Sequence, residues 1–318
     1  MTPLSGHQLV RPDSTIHYWT GGDQGDTLVF LHGATLDHRS WAPQTDALSD
    51  RYRVVAVDLR GHGASTGRFD FDAAVEDVLA LLEHLPARHV VLVGLSLGAN
   101  IAQEVIRRRP DRVLALVAAD TTCNTAARHP LVASFTVAAL KTQAAMAGDE
   151  FGRQAARATA TNPEVQQYVT DVNAHRTNAE TVDILTSLLT SALRPDAEYR
   201  LPVPALLVHG QHDHIGEIAT HTRGWAEREP LARHAVIPRA GHASNMDNPE
   251  HFTQLLTEFL DEVAAPDDTE SVEAQAEELY RRYGARPWSL IPESTREHFR
   301  GLVTAGTDGQ GQPLRPAA

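Results

Sequence analysis

The chain has 318 residues, 42% hydrophobic and 22% charged, which leaves room for a sizeable core in one large domain or two. Its 28 basic and 41 acidic residues give a net charge of -13, which disfavours nucleic acid, anionic membrane or polyphosphate partners, all of which need a positive field. One cysteine, Cys123, excludes an internal disulfide and any cysteine-ligated zinc or iron–sulfur centre.

In chain order, residues 7–20 alternate and break at Pro12-Asp13-Ser14, as an opening hairpin would. Thr27–Leu31 reads as a strand ending in His32-Gly33, Trp41–Ser49 as a short helix, and Arg53–Val57 as a buried strand. Ala74, Val78, Leu81, Leu82 and Leu85 recur near 3.6 spacing and predict a helix over Phe71–Leu85. His89–Val93 is a continuous apolar run of the kind found inside parallel sheets. A helix over Leu97–Arg109 stops before Pro110, and Val113–Ala118 is the next strand.

From Thr121 to about Tyr199 the strand rhythm lapses into Ala-rich helical stretches, interrupted at Asn162-Pro163 and Arg194-Pro195. It returns at Ala205–His209 and Arg233–Ile237, and a helix from Asn248 to about Ala264 closes the series. The alternation predicts an α/β fold with a parallel sheet covered on both faces. Its core spans 1–120 and 200–265, with a helical cap inserted over 121–199. No run approaches the roughly 18 apolar residues of a membrane span, and the opening stretch lacks a basic-then-apolar signal pattern. The expected address is cytoplasmic.

The strongest chemical signal is Gly94-Leu95-Ser96-Leu97-Gly98, between an apolar strand and a helix. So tight a strand-to-helix turn strains the serine backbone and crowds the positions two residues either side, where glycine fits. A nucleophilic serine needs a base, and the base needs an acid to orient it. Among 17 histidines, place selects His242, in the loop before the closing helix. Asp213 lies just past the strand Ala205–His209. Both loops leave carboxyl ends of strands, where open α/β sheets build their sites. The competing reading of Ser96 is a plain turn with a helix-capping serine.

Taken together, His32-Gly33-Ala34, Asp58-Leu59-Arg60-Gly61-His62-Gly63, the Ser96 pentapeptide, His209-Gly210-x-x-Asp213 and Gly241-His242 resemble the α/β-hydrolase fold family. The resemblance is to its capped esterase, lactonase and haloperoxidase-like branch, and it covers about His7 to Ala264. It implies a mostly parallel eight-stranded sheet with Ser96 as nucleophile, Asp213 as acid and His242 as base. The backbone N–H groups of Ala34 and Leu97 would form the oxyanion hole. The implied activity is a serine hydrolase cleaving a small or medium carboxylic ester or lactone through an acyl-enzyme, with no cofactor and no metal. Alternatives at the same site are a non-hydrolytic ligand-binding member, a cofactor-free perhydrolase or haloperoxidase-like enzyme, or a C–C bond hydrolase. Dehalogenase and epoxide-hydrolase branches place aspartate where Ser96 stands.

Other residues compete for roles. Asp120 also ends a strand and is the rival acid. His209, His212 and His214 surround Asp213 and invite a metal reading, against which stands a solvated loop in a histidine-rich chain. His62 is expected to shape a loop, and Cys123 to be a buried, inert thiol. Arg39 and Arg128 could reach the site entrance, while Phe135, Phe151, Tyr168 and Tyr199 are the few cap aromatics. The cap is expected to govern substrate range rather than chemistry.

Residues 266–318 fall outside the family pattern and read as an accessory segment, helical at first and disordered after about 304. Val272, Ala276, Leu279, Tyr280 and Tyr283 recur at helical spacing up to Gly284, with Trp288, Leu290 and Ile291 following. That stripe is expected to bury against the hydrolase body or a second copy of the chain, forming a homo-oligomer.

Overall fold

The computed structural model describes residues 4–126, 130–263, 276–277, 279–281 and 288–304. The chain divides into two compact units, residues 1–263 and 264–318.

The first unit is built on one eight-stranded sheet. Its strands are β1 (Ser5–Arg11), β2 (Ser14–Gly21), β3 (Thr27–Leu31), β4 (Arg53–Val57), β5 (Val90–Leu95), β6 (Val113–Ala119), β7 (Ala205–Gly210) and β8 (Ala232–Ile237). They run in the order β1-β2-β4-β3-β5-β6-β7-β8. Antiparallel pairing is confined to β1 with β2 and β2 with β4, and from β4 to β8 every pair is parallel. The opening hairpin turns through Pro12 and Asp13, with Arg11 opposite Ser14.

Strands β3, β5 and β7 are buried along their whole length. The pleat sends alternate residues to opposite faces. Val29 and Leu31 join one core with Val78 and Val105, while Leu28 and Phe30 join the other with Trp41, Phe252 and Leu256. The first core is covered by α2 (Phe71–His84) and α3 (Leu97–Arg108), the second by α1 (Ala42–Leu48).

Among the described residues, four helices lie between β6 and β7: α4 (Pro130–Ala147), α5 (Glu150–Thr159), α6 (Pro163–Val172) and α7 (Asn178–Ser191). The break at Asn162-Pro163 proves to be a helix start. Asn162 caps α6 by accepting from the Glu164 N–H, and Pro163 fills the first turn, where no amide donor is needed. Thr177 and Glu180 form a reciprocal capping box that starts α7.

One helix escaped the sequence pattern. α8 (Ile218–Arg228) lies between β7 and β8, and buries Ile218, Thr222 and Trp225 at helical spacing. A single turn, α9 (Ser244–Asp247), stands in the stretch read as a loop, and the expected closing helix follows it as α10 (Pro249–Val263). Among the described residues no helix is long and apolar enough to cross a membrane.

The second unit has its own apolar cluster of Ala276, Leu279, Tyr280, Trp288, Ile291 and Phe299. Phe299 comes from α11 (Glu293–Thr304), a helix the sequence reading did not foresee. The ring centroids of Tyr280 lie 5.5 Å from Trp288 and 5.3 Å from Phe299. Within this unit α11 supplies an apolar side that faces the stripe. Val272, Tyr283, Gly284 and everything past Thr304 lie outside the described residues.

Candidate active site

Ser96 follows the last residue of β5 and precedes the first of α3. Its backbone is left-handed, with φ 50 and ψ -113, a region non-glycine residues enter only under compulsion. The compulsion is steric. A Cβ on Gly94 would lie 2.4 Å from the Ala99 nitrogen, inside the same turn. One on Gly98 would lie 2.1 Å from the Leu31 carbonyl oxygen, so this second crowding comes from strand β3 rather than from the turn itself. From Val90 to Ile106 every residue is buried except Ser96. The Ser96 side chain makes no capping bond to α3, which removes the plain-cap reading.

The acid and base meet. His242 Nδ1 donates to Asp213 Oδ2 at 3.0 Å, and both residues are buried. An ionised carboxylate only accepts, so Nδ1 carries the proton and Nε2 keeps its lone pair. Asp213 is itself held by the Ile215 N–H at 2.9 Å. Burial opposes charge on the imidazole, but the Asp213 bond and the charges of Asp213 and Asp120 outweigh it, holding His242 above its ordinary value.

The loop around His242 is tied on every side. Before it, the Gly241 N–H donates to Asp247 Oδ2 at 2.7 Å. After it, the Ala243 N–H donates to the Thr159 carbonyl, at the end of α5, at 2.7 Å. Asp247 also accepts from the Thr161 and Asn162 amides at 2.8 and 3.0 Å. The helical insertion therefore grips the base loop directly.

Asp120 does not reach the base. Its Oδ1 accepts the Gly210 N–H at 2.7 Å, and its Oδ2 accepts both the N–H, at 3.2 Å, and the hydroxyl of Ser244. Burial pushes this carboxyl up to about 7; the His242 charge opposes that rise and Asp213 adds to it. Asp120 thus joins the residue three before Asp213 to the residue two after His242. Its neighbour Ala119 accepts the Ser96 N–H at 2.8 Å. No sequence signal marked this junction beyond the strand end on which Asp120 sits.

Ala34 lies in a partly exposed turn after β3, shaped by two buried histidines. The ring of His32 bridges the Gly33 carbonyl (2.7 Å) and the Leu59 N–H (3.0 Å). His62 bridges the Arg60 carbonyl (3.0 Å) and the Thr35 N–H (3.1 Å), so its expected loop-shaping part extends to the turn that carries Ala34. Burial holds both rings below the ordinary histidine value, in the neutral form that these donor–acceptor pairs require.

The histidines near Asp213 do not converge. His209 is buried in β7 and stacks on His234 at 5.2 Å, whereas His212 and His214 are exposed. A tighter cluster, Asp37, His38 and Asp58, borders a groove of about 700 Å³ that opens three residues past Ala34. Its oxygens already serve the loops. Asp58 accepts from His38 Nδ1 and the Ala64 N–H, and Asp37 from Arg39 and the Tyr168 hydroxyl. Arg39 lines this groove, while Arg128 lies outside the described residues. Of the cap aromatics, Phe135 is 70% exposed and Phe151 is buried. Cys123 is buried, its sulfur 3.0 Å from an Arg228 nitrogen and 3.2 Å from the Thr125 hydroxyl.

Known proteins bear on this geometry. Over 253 residues the chain is 34% identical to a pimeloyl-[acyl-carrier protein] methyl ester esterase of Chromobacterium violaceum, covering 75% of this chain and 95% of that one. It is 31% identical over 251 residues to the dihydrolipoyllysine-residue acetyltransferase component of the acetoin cleaving system of Pseudomonas putida, covering 76% of this chain but only 65% of that protein. The solved enol-lactonase of Burkholderia xenovorans superposes with a TM-score of 0.65 at 26% identity, covering 78% and 97% of the two chains. The family model described as the alpha/beta hydrolase fold matches residues 26–249. With the sheet order, the strained serine and this match in agreement, the chain belongs to the alpha/beta hydrolase fold family.

Proposed function

We propose that the protein hydrolyses a small or medium carboxylic ester or lactone through an acyl-enzyme on Ser96. The observation that carries the reading is the left-handed Ser96, uncapped and alone unburied in its stretch of chain. The Asp213–His242 bond supports it, as do relatives named as an ester hydrolase and an enol-lactonase.

In this mechanism His242 Nε2 takes the Ser96 hydroxyl proton as Oγ attacks the substrate carbonyl, and Asp213 stabilises the resulting imidazolium. The former carbonyl oxygen becomes an oxyanion held by the N–H groups of Leu97 and Ala34. Leu97 opens α3, whose first-turn amides lack partners within the helix and whose dipole presents its positive end. Loss of one such donor costs about 3–4 kcal/mol of transition-state stabilisation. Collapse expels the alcohol, or opens the lactone ring, with the proton returned from His242. Water activated by the same base then releases the acid. The insertion over 121–199 serves as the cap of this site.

The test is labelling with a fluorophosphonate probe together with turnover of a p-nitrophenyl acyl ester. Wild type is expected to be labelled and active, and Ser96→Ala unlabelled and inactive apart from binding and oxyanion effects. The acid limb of kcat/KM should lie above the ordinary histidine value, because His242 is held there and loses its function as base once protonated. A Ser96→Ala variant with wild-type turnover refutes the assignment.

A further inference from the structure

We propose that Asp120 is a positioning residue for the base, a buried carboxyl that sets the His242 loop against the Asp213 loop and the Ser96 elbow. The proposal rests on the Ser96–His242–Asp213 reading and adds to it a fourth group that touches neither substrate nor the reacting atoms.

Its position is the first argument. Asp120 is fully buried and left-handed, with φ 50, like Ser96 on the neighbouring strand end. A non-glycine residue stays in that region only where its surroundings over-determine it. Those surroundings are the Gly210 N–H, the Ser244 N–H and the Ser244 hydroxyl, from the ends of β7 and of the base loop. Two amide donors and a hydroxyl converge on one carboxylate. With Ala119 receiving the Ser96 N–H, the ends of β5, β6 and β7 are locked together at two successive residues.

Charge is the second argument. The charged groups facing Asp120 are Asp213 and His242. The bond from His242 Nδ1 is already taken by Asp213, so Asp120 acts on the imidazole through space. When ionised, Asp120 places a buried negative charge there that favours the imidazolium formed as Ser96 loses its proton. A merely structural tie would supply the bonds without this field, and the two differ in a measurable way.

Asp120→Asn keeps the shape and removes the charge. Its acid limb of kcat/KM is expected to move to lower pH by about half a unit or more, with kcat down about tenfold and KM nearly unchanged. Ser244→Ala removes the hydroxyl tie, which also favours the ionised form of Asp120, so kcat should fall and the acid limb should move the same way as in Asp120→Asn but by less. Asp213→Asn and Ser96→Ala are measured alongside. An Asp120→Asn variant with wild-type kcat and acid limb overturns the proposal, and so does one as inactive as Asp213→Asn, which would make Asp120 the acid itself. Should Asp120→Asn fail to fold, wild-type kcat in Ser244→Ala overturns it. If Ser96→Ala stays active, the underlying triad reading fails, and that result is separate from either outcome at Asp120.

Discussion

Ser96 and His242 are held in place by opposite means. The elbow is rigid through exclusion: Gly94 and Gly98 leave no space for a side chain, and the strand on one side and helix on the other dictate the turn. The base loop is rigid through attachment, its donors held by acceptors on Asp213, Asp120, Asp247 and the end of α5. Steric exclusion needs few partners and tolerates nothing larger than glycine. Attachment spreads the same task over several bonds, each typically contributing about 0.5–1.5 kcal/mol. The nucleophile's pose should therefore fail abruptly and the base's pose by degrees.

The largest effect should come from Gly98→Ala. Its methyl group would meet the β3 backbone at 2.1 Å, and backbone cannot swing aside as a flexible side chain can. A loss of about 3 kcal/mol or more is expected, read as a sharp drop in melting temperature and soluble yield. Native melting and native turnover in that variant would break the contrast at its rigid end. Next comes Asp247→Ala, which strips acceptors from Gly241, Thr161 and Asn162 at once. We expect about 2 kcal/mol of stability lost and kcat reduced about tenfold as His242 drifts. If kcat holds while stability falls, the insertion steadies the fold but not the base. The smallest effect belongs to Tyr168→Phe, which loses only the bond to Asp37 at 3.0 Å. A change in KM of no more than about threefold with kcat intact is expected, and a tenfold loss of kcat would place Tyr168 much nearer the chemistry.

That contrast also explains what could be read from the sequence. β3 and β4 stand where their apolar runs predict them, because burial on both faces leaves an unbroken apolar signature. The elbow was legible for a related reason: its glycines and its serine lie within five residues of one another. Asp120 is different, since its partners lie 90 and 124 positions away, and Asp247 reaches Thr161 across 86. No local pattern encodes such pairs. α8 was passed over because Ile218, Thr222 and Trp225 are its only buried residues, too sparse a stripe to announce a helix. The expectation that the insertion governs substrate range alone missed its bonds to the base loop, which are likewise nonlocal.

The lone thiol of Cys123 has a practical consequence. It sits just after β6, where the sheet gives way to the helical insertion, sealed from solvent and bracketed by Arg228 and Thr125. A thiol reagent can reach it only when that junction opens, so its modification rate reads the frequency of opening there. With no second cysteine in the chain, the signal carries no background from elsewhere. The protein thus contains its own clock for the seam between sheet and insertion, and a ligand that closes the seam would slow it.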